Sequence, residues 1–211
     1  MKRVLVALLA ISMAAGVLTG CGSKGSEKTF TVGFDAEFPP YGYRDDSGEY
    51  VGFDLDLAAE VCKRQGWELV KQPIDWDAKE MELKAGTIDC VWNGMSITPE
   101  REESMALSNK YLNNKIVLMA MKDSDTDVKK STDLADLKIG TQADSSALEM
   151  LKKNESYDKF KDNISEYKTY DAAIRDLKAG RVDVSAVDQV LGEYTNNNLE
   201  GAMKECTYSL G

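Results

Sequence analysis

Two segments of the chain repeat the same short pattern, and this repeat constrains the fold more than any other feature. Residues 83–89 read LKAGTID, and residues 177–183 read LKAGRVD. In each copy, the end of an amphipathic helix is followed by a glycine and then by a β-branched strand start. Gly86 and Gly180 suit the left-handed position that ends a helix, because glycine has no Cβ to clash there. The repeat therefore predicts one helix–strand unit used twice, in two similar α/β lobes.

The ends of the two repeat strands indicate where a ligand would bind. The predicted strands cover residues 89–93 and 183–187, and they lead into Gly94 and Asp188. In open α/β sheets, ligands bind beyond the carboxyl ends of the strands. Other strand patterns, at residues 30–34, 67–71, 116–121 and 138–141, alternate with helical ones. We therefore predict an α/β fold with largely parallel sheets and a cleft between two sets of strand ends.

Local signals predict how individual elements begin and which face they bury. The paired Pro39 and Pro40 predict a loop over residues 35–41, because proline forms neither sheet ladder nor helix. Asp77 and Glu80 have the spacing of a capping box at the start of a helix. A helix ending before Gly66 has apolar residues at helical spacing, which predict its buried face: Phe53, Leu57, Ala58, Val61 and Cys62.

The first twenty residues have the pattern of a signal peptide. Lys2 and Arg3 precede an apolar stretch over residues 4–17, which is too short to span a membrane. Residues 18–21, LTGC, resemble a bacterial lipobox, in which Cys21 would be lipidated and become the new N-terminus. The alternative is an ordinary secretory signal with an incidental cysteine. Residues 21–28 predict a flexible tether, so we expect an extracytoplasmic protein anchored to the cell membrane through Cys21.

Composition excludes several classes of partner. The formal net charge of −10 argues against nucleic acid. The chain has no histidine, and the spacing of Cys62, Cys90 and Cys206 matches no zinc pattern. We favour buried structural thiols over a disulfide for these cysteines, and we predict neither a metal site nor a cofactor.

Three further segments resemble a known family. They are residues 34–41 (FDAEFPPY), 52–56 (GFDLD) and 94–101 (GMSITPER), and they are similar to the polar amino-acid-binding lipoproteins of ABC importers. The resemblance runs from about residue 29 to residue 188. It implies the type II periplasmic-binding-protein-like fold, in which two lobes joined by a hinge close on a ligand. The function it implies is capture of a free polar amino acid and its delivery to permease subunits in the membrane, by a monomer.

The resemblance also implies domain boundaries. The first lobe would cover residues 29–113 and the second lobe residues 114–206. Residues 207–211 would begin a return to the first lobe. Family members usually continue with a further strand and about two helices, so the resemblance implies a chain truncated at its C-terminus.

Two charged residues match the family's contacts to the amino-acid head group. Arg101 matches the arginine that holds the α-carboxylate, and a guanidinium can bind a carboxylate through two parallel hydrogen bonds. The alternative is an exposed arginine paired with Glu100 or Glu102, which would contribute little. Asp188 matches the acid that holds the α-ammonium group. It could also cap the helix that begins at Gln189.

The remaining matched residues would surround the ligand. Gly94 and Ser96 match further head-group contacts, and Ser145 and Ser146 match a helix start whose N–H groups meet the carboxylate. Phe38 and Trp76 match the aromatic walls of the site. Asp35 matches a contact to the ligand side chain, and Gln142 stands where some relatives carry a basic residue.

Two positions differ from the glutamine-binding members of the family. Asn93 replaces a small residue, and Val187 replaces an imidazole. The side-chain pocket is therefore not inherited from those members. Together with Asp35 and Gln142, Asn93 favours a polar neutral side chain, which leaves glutamine-like ligands and cystine open.

Two other function classes are compatible with the fold. Some dehydratase-like enzymes share it, but this chain lacks histidine, the side chain most often used in acid–base catalysis. A sensor module of a receptor is the other alternative, but the chain shows neither a transmembrane helix nor a signalling domain. The sequence therefore predicts a binding protein that is not an enzyme.

Overall fold

A computed structural model describes residues 28–211. The predicted signal peptide, Cys21 and almost all of the tether lie outside the described residues. The strands are β1 (Thr29–Phe34), β2 (Glu37–Phe38), β3 (Gly42–Arg44), β4 (Tyr50–Val51), β5 (Glu68–Pro73), β6 (Cys90–Val91), β7 (Ile116–Met121), β8 (Ile139–Gln142), β9 (Ile164–Tyr167), β10 (Val184–Asp188) and β11 (Met203–Ser209). The α-helices are α1 (Phe53–Gln65), α2 (Lys79–Ala85), α3 (Pro99–Ser104), α4 (Ser146–Lys152), α5 (Tyr157–Phe160), α6 (Tyr170–Lys178) and α7 (Gln189–Asn198). Short 3-10 helices cover Trp76–Ala78, Ser131–Asp136 and Lys161–Asn163.

Two sheets organise the chain. The smaller sheet has the order β5–β1–β6, and its strands are all parallel. The larger sheet has the order β11–β7–β10–β8–β9, in which β8, β9 and β10 are parallel and β7 runs antiparallel to both of its neighbours. We call the part formed by β1–β6 and α1–α3 lobe 1, and the part formed by β7–β11 and α4–α7 lobe 2. Among residues 28–211, none of the helices combines the length and the apolar character needed to cross a membrane.

The sequence repeat forms the same structure in both lobes. The glycines of the two copies follow their helices with φ angles of 71° and 69°, so the predicted left-handed helix ends are confirmed. The Asp89 carboxylate accepts a hydrogen bond of 2.7 Å from the Thr31 N–H of the neighbouring strand β1. The Asp183 carboxylate does the same with the Lys138 N–H, immediately before β8, also at 2.7 Å. Each copy therefore fixes its strand against the adjacent parallel strand.

The hydrophobic cores of the two lobes differ in size. In the described part of the chain, the buried cluster centred on lobe 2 contains 23 residues, whereas that of lobe 1 contains four. A groove of about 690 Å³ lies beside β6 in lobe 1, and Trp92 and Tyr111 are among its lining residues. Cys62, Cys90 and Cys206 are free thiols. Among the described residues, lobe 1 therefore has much the smaller buried core.

Two predictions about local structure are wrong. Within the predicted loop at 35–41, Glu37 and Phe38 form β2 and pair with β3, because only the prolines themselves are barred from the ladder. The predicted capping box is absent, because Asp77 lies inside the 3-10 turn that precedes α2. The N-cap residue of α2 is Ala78, which makes no side-chain hydrogen bond at the cap.

The buried face of α1 is rotated relative to the prediction. Asp54, Leu55, Ala58 and Cys62 are buried, whereas 46% of Phe53 is exposed. Asp54 is drawn inward because its carboxylate accepts hydrogen bonds from the Gly94 N–H and, at 3.0 Å, from the Tyr111 hydroxyl. The hydrogen bonds of the Asp54 carboxylate therefore orient this helix. The spacing of apolar residues carries no information about such polar contacts.

The last strand stays within the larger sheet beyond the predicted domain boundary. β11 pairs with β7 as far as Ser209, although the predicted return to the first lobe begins at residue 207. The Gly211 carbonyl accepts a hydrogen bond from the Ile116 N–H at 2.9 Å. The described chain thus ends beside the first residue of β7.

Candidate functional site

A pocket lies between the lobes, near the carboxyl ends of β1, β8 and β10. It contains every ligand-binding residue expected from the sequence, together with Met95 and Tyr170, which sequence reasoning missed. Its lining residues are Asp35, Phe38, Trp76, Asn93, Gly94, Met95, Ser96, Arg101, Gln142, Ser145, Ser146, Tyr170 and Asp188. The strand-end positions thus converge as predicted, and the roles of individual residues remain predictions.

The two lobes are closed over this pocket. Its free volume is about 10 Å³, close to the minimum that holds a single water molecule. An amino acid is much larger than this. The lobes must therefore separate before an amino acid can enter.

Arg101 lies on α3. The N-cap residue of this helix is Thr98, and its first residue is a proline. Its side chain is buried, so the alternative of an exposed surface arginine is wrong. Its Nη1 donates a 3.0 Å hydrogen bond to the Ser96 carbonyl. Its Nη2 donates to the Asp144 carbonyl at 3.2 Å and lies 3.4 Å from Glu149 Oε1. Arg101 therefore joins lobe 1 to two groups of lobe 2.

Asp188 ends β10 and faces Arg101 from the other lobe. It is 4% exposed, and its carboxylate accepts a hydrogen bond from the Asn114 side-chain amide. Burial raises the pKa of Asp188 to about 6, against the opposing effects of Tyr170, Asn114 and Arg101. The alternative role as a side-chain helix cap is absent, because the carboxylate makes no capping hydrogen bond to α7. The Asp188 carboxylate therefore lines the pocket without capping α7.

A second buried carboxylate belongs to Asp35, which follows β1. The Asn93 side-chain oxygen accepts a 2.8 Å hydrogen bond from the Asp35 N–H. From the opposite lobe, Gln142 Nε2 donates to the Asp35 carboxylate at 2.7 Å and to the Lys168 carbonyl at 3.0 Å. Burial raises the pKa of Asp35 to about 6, although hydrogen bonds from the Glu37 N–H and from Gln142 oppose the shift. These residues form a polar end of the pocket.

Aromatic rings close the remaining sides. Phe38 stacks on Tyr41 with ring centroids 5.6 Å apart, and it meets Tyr170 of lobe 2 at 5.9 Å. Trp76, at the start of its 3-10 turn, is 8% exposed. In the described chain, no group has the geometry of a hydrogen bond with the buried Tyr170 hydroxyl, although Asp188 lies close enough for the hydroxyl to oppose the rise in the pKa of Asp188. Tyr170 directly follows the helix cap Thr169, and that position was the only sequence signal for it.

Two polar groups of residues predicted to contact the head group, the Ser145 hydroxyl and the Gly94 N–H, already have partners within the protein. The prediction for Ser145 and Ser146 concerned their backbone N–H groups. The Ser145 hydroxyl caps α4 by accepting from the Leu148 N–H at 3.1 Å, and it donates to the Gln142 carbonyl at 2.7 Å. The Gly94 N–H donates to the buried Asp54 carboxylate. The Gly94 N–H and the Ser145 hydroxyl therefore shape the pocket, while Ser96 and Ser146 also line it.

Comparison with known proteins gives a family match and several relatives that bind solutes. Residues 30–169 match the family described as bacterial extracellular solute-binding proteins, family 3. The chain belongs to this family. The chain is 31% identical over 188 residues to the lysine/arginine/ornithine-binding periplasmic protein of Escherichia coli K12, an alignment that covers 87% of this chain and 70% of that protein. It is 27% identical over 212 residues to the L-cystine-binding protein TcyJ of the same strain, which covers 94% of this chain and 77% of TcyJ.

Solved structures of family members show the same two-lobed fold. A substrate-binding protein of an ABC uptake transporter from Streptococcus pneumoniae, with bound histidine, superposes with a TM-score of 0.79 at 36% identity, covering 85% of this chain and 74% of that one. The holo arginine-binding protein of T. maritima gives a TM-score of 0.80 at 28% identity, and the match covers 87% of this chain and 78% of that one. The fold is therefore the two-lobed fold of periplasmic amino-acid-binding proteins, as predicted.

Proposed function

We propose that this protein captures a free polar amino acid between its lobes and delivers it to the permease of an ABC importer. The observation that carries the proposal is that the buried Arg101 and Asp188 line one pocket from opposite lobes. A guanidinium and a carboxylate on opposite walls complement the two charges of an amino-acid zwitterion. Because one charge is held by each lobe, a bound zwitterion favours closure.

The side chain of the ligand would meet the polar end of the pocket. Asp35, Asn93 and Gln142 offer a carboxylate and two amides there. A buried carboxylate favours a ligand side chain that donates hydrogen bonds and disfavours an acidic one. Glutamine and cystine fit the expectation from sequence. Arginine and histidine, named for the relatives, add a cationic class that the Asp35 carboxylate would also accept.

Calorimetry with a panel of amino acids tests this proposal. The protein is unfolded and refolded to remove any co-purified solute, then titrated with L-glutamine, L-cystine, L-arginine, L-histidine and L-glutamate. We expect one of the first four to bind and glutamate to bind least. Arg101→Ala should weaken binding by about 2–5 kcal/mol, the range for truncating one partner of a buried charge pair.

Arg64→Ala is the matched control, because Arg64 is an exposed arginine of lobe 1 that pairs with Glu60 on its own helix. We expect it to bind like wild type. If the decarboxylated analogue of the ligand binds as tightly as the amino acid itself, the carboxylate role of Arg101 is refuted.

We further propose that Cys21 carries a lipid anchor and that the protein acts outside the cytoplasm as a monomer. The support is the residue pattern at 18–21, LTGC. Cys21→Ser should move the protein from the membrane fraction to the soluble one, because a lipidated cysteine supplies the acyl chains that hold it. Retention of the Ser variant in membranes at the wild-type level would contradict the anchor.

The named relatives are solute-binding proteins of transport systems, which favours binding over catalysis. The competing proposals are a dehydratase-like enzyme and a sensor module. Mass spectrometry of the amino acid after prolonged incubation with the protein distinguishes the enzyme, since a binding protein returns its ligand unchanged.

A further inference from the structure

Lys79 is a buried cation at the boundary between the lobes. It is the first residue of α2 in lobe 1, and its side chain is 1% exposed. Its ammonium group forms an ion pair with the Asp144 carboxylate of lobe 2 and donates to the Asp144 carbonyl at 3.3 Å. It also donates to the Trp76 carbonyl at 3.3 Å and lies 4.9 Å from the centroid of the Trp76 ring. Two of its three hydrogen-bond acceptors are thus supplied by the opposite lobe.

Asp144 forms the turn between β8 and α4, and two cations of lobe 1 converge on it. Its carbonyl accepts from both Lys79 Nζ and Arg101 Nη2. Its φ angle is 53°, a left-handed conformation that aspartate tolerates better than most residues. Asp144 adopts this conformation while both its carbonyl and its carboxylate contact side chains of lobe 1. Neither Lys79 nor Asp144 belongs to the described residues that line the pocket.

Asp144 offsets part of the cost of burying Lys79, because burial lowers the pKa of the Lys79 ammonium group and the contact with Asp144 opposes that shift. A buried ion pair stabilises only when its geometry satisfies the remaining donors, and the three donors of Lys79 face three acceptors. Asp144 keeps 51% of its side chain exposed, so its own desolvation cost is small. Three other ion pairs between the described parts of the lobes, Glu100–Lys153, Asp75–Lys168 and Glu37–Arg175, are about half exposed or more on both sides and contribute little. Arg101–Glu149 is a second, largely buried ion pair between the lobes.

We propose that Lys79 and Asp144 form a latch that stabilises the closed arrangement of the lobes and slows ligand release without contacting the ligand. The inference rests on the proposed function, because it concerns the regulation of the same site. Lys79 acts as a positioning residue: it fixes the Asp144 turn, whose carbonyl in turn holds Arg101. The latch forms only after the lobes meet, so it should affect dissociation and leave association unchanged.

Stopped-flow kinetics with the amino acid identified by calorimetry tests the latch in the full chain. Lys79→Met removes the charge and keeps an apolar stem in the buried site. Lys84→Met is the matched control on the same helix, because Lys84 is exposed and pairs with Glu80 inside lobe 1. We expect Lys79→Met to raise the dissociation rate about tenfold, equivalent to ~1.4 kcal/mol, with the association rate unchanged. Equal dissociation rates for Lys79→Met and Lys84→Met overturn the proposal.

A second variant guards against misfolding of Lys79→Met. Asp144→Asn removes the charge at a half-exposed position, and asparagine keeps the left-handed turn. It should raise the dissociation rate in the same direction, and a wild-type rate would overturn the latch.

A ligand-free measurement separates the latch from the proposed function. If no amino acid in the panel binds, the proposed function fails, and small-angle X-ray scattering of the ligand-free proteins then decides the latch. A larger radius of gyration for Lys79→Met than for wild type and Lys84→Met supports it, whereas identical scattering of all three overturns it.

Discussion

Replacing Asp188 by asparagine should stabilise the fold while weakening amino-acid binding. In the folded protein, burial raises the pKa of Asp188 from 3.8 to about 6. A shift of about two units corresponds to roughly 3 kcal/mol by which the ionised carboxylate is disfavoured in the folded state. Asp188→Asn removes this charge and keeps an oxygen that can accept from Asn114. The variant should therefore be more stable than wild type at neutral pH, by up to about 3 kcal/mol.

The pH dependence gives the sign of the effect. The folded-state pKa lies above the unfolded value, so the contribution of Asp188 to stability is fully present below about pH 4 and is lost as the pH rises through about 6. The stability gap between Asp188→Asn and wild type should thus be largest near pH 8 and should close as the pH falls from about 6 to about 4. Asp35 titrates in the same range, but it is present in both proteins and cancels in the difference.

Urea unfolding across this pH range measures the gap as a shift in the denaturation midpoint with an unchanged slope. Asp123→Asn, at an exposed turn after β7, is the control and should show no such pH-dependent gap. Calorimetry on the same samples should show that Asp188→Asn loses about 2–5 kcal/mol of amino-acid binding. An Asp188→Asn variant that is less stable than wild type at pH 8, or a gap that does not change with pH, would refute the reasoning.

Two further predictions concern lobe 1. Amides of β1 should exchange with deuterium faster than those of β10, because the buried core of lobe 1 is much the smaller, and mass spectrometry of peptides from both strands measures this; equal protection would contradict it. Asp54→Ala should lower the free energy of unfolding by about 1–3 kcal/mol, because it leaves the Gly94 N–H and the Tyr111 hydroxyl without their acceptor. Asp54→Asn keeps an acceptor and should cost less in urea unfolding; similar losses for both variants would show that the hydrogen bonds are not the cause.

The sequence predicted those parts of the fold that depend on local patterns. The glycine-ended helices of the repeat, the buried strand β7 and the helix that starts at Ser145 and Ser146 follow from periodicity and end signals. Their locations depend on interactions within a few residues along the chain. The residues that surround the pocket were found through motif resemblance, and the structure brings them together.

The features that escaped prediction depend on contacts between distant residues. Asp54 and Tyr111 are far apart in sequence, so their hydrogen bond left no pattern, and the rotation of α1 was missed. The pairing of Lys79 with Asp144 joins two lobes, and each residue alone reads as an ordinary surface charge. In the sequence, Tyr170 resembles a core residue at the start of a helix. Only the structure shows that it lines the pocket.

The position of Trp76 gives the protein an internal optical reporter. Its indole is only 8% exposed, lines the pocket between the lobes and lies under the Lys79 ammonium group, whereas Trp67 and Trp92 are half-buried within lobe 1. Separation of the lobes would bring water to the Trp76 ring and remove the Asp144 carboxylate from the Lys79 ammonium group beside it, while the surroundings of the other two indoles stay the same. The emission maximum of the unlabelled protein should therefore shift to longer wavelength as the cleft opens, so its motion can be followed by fluorescence in real time.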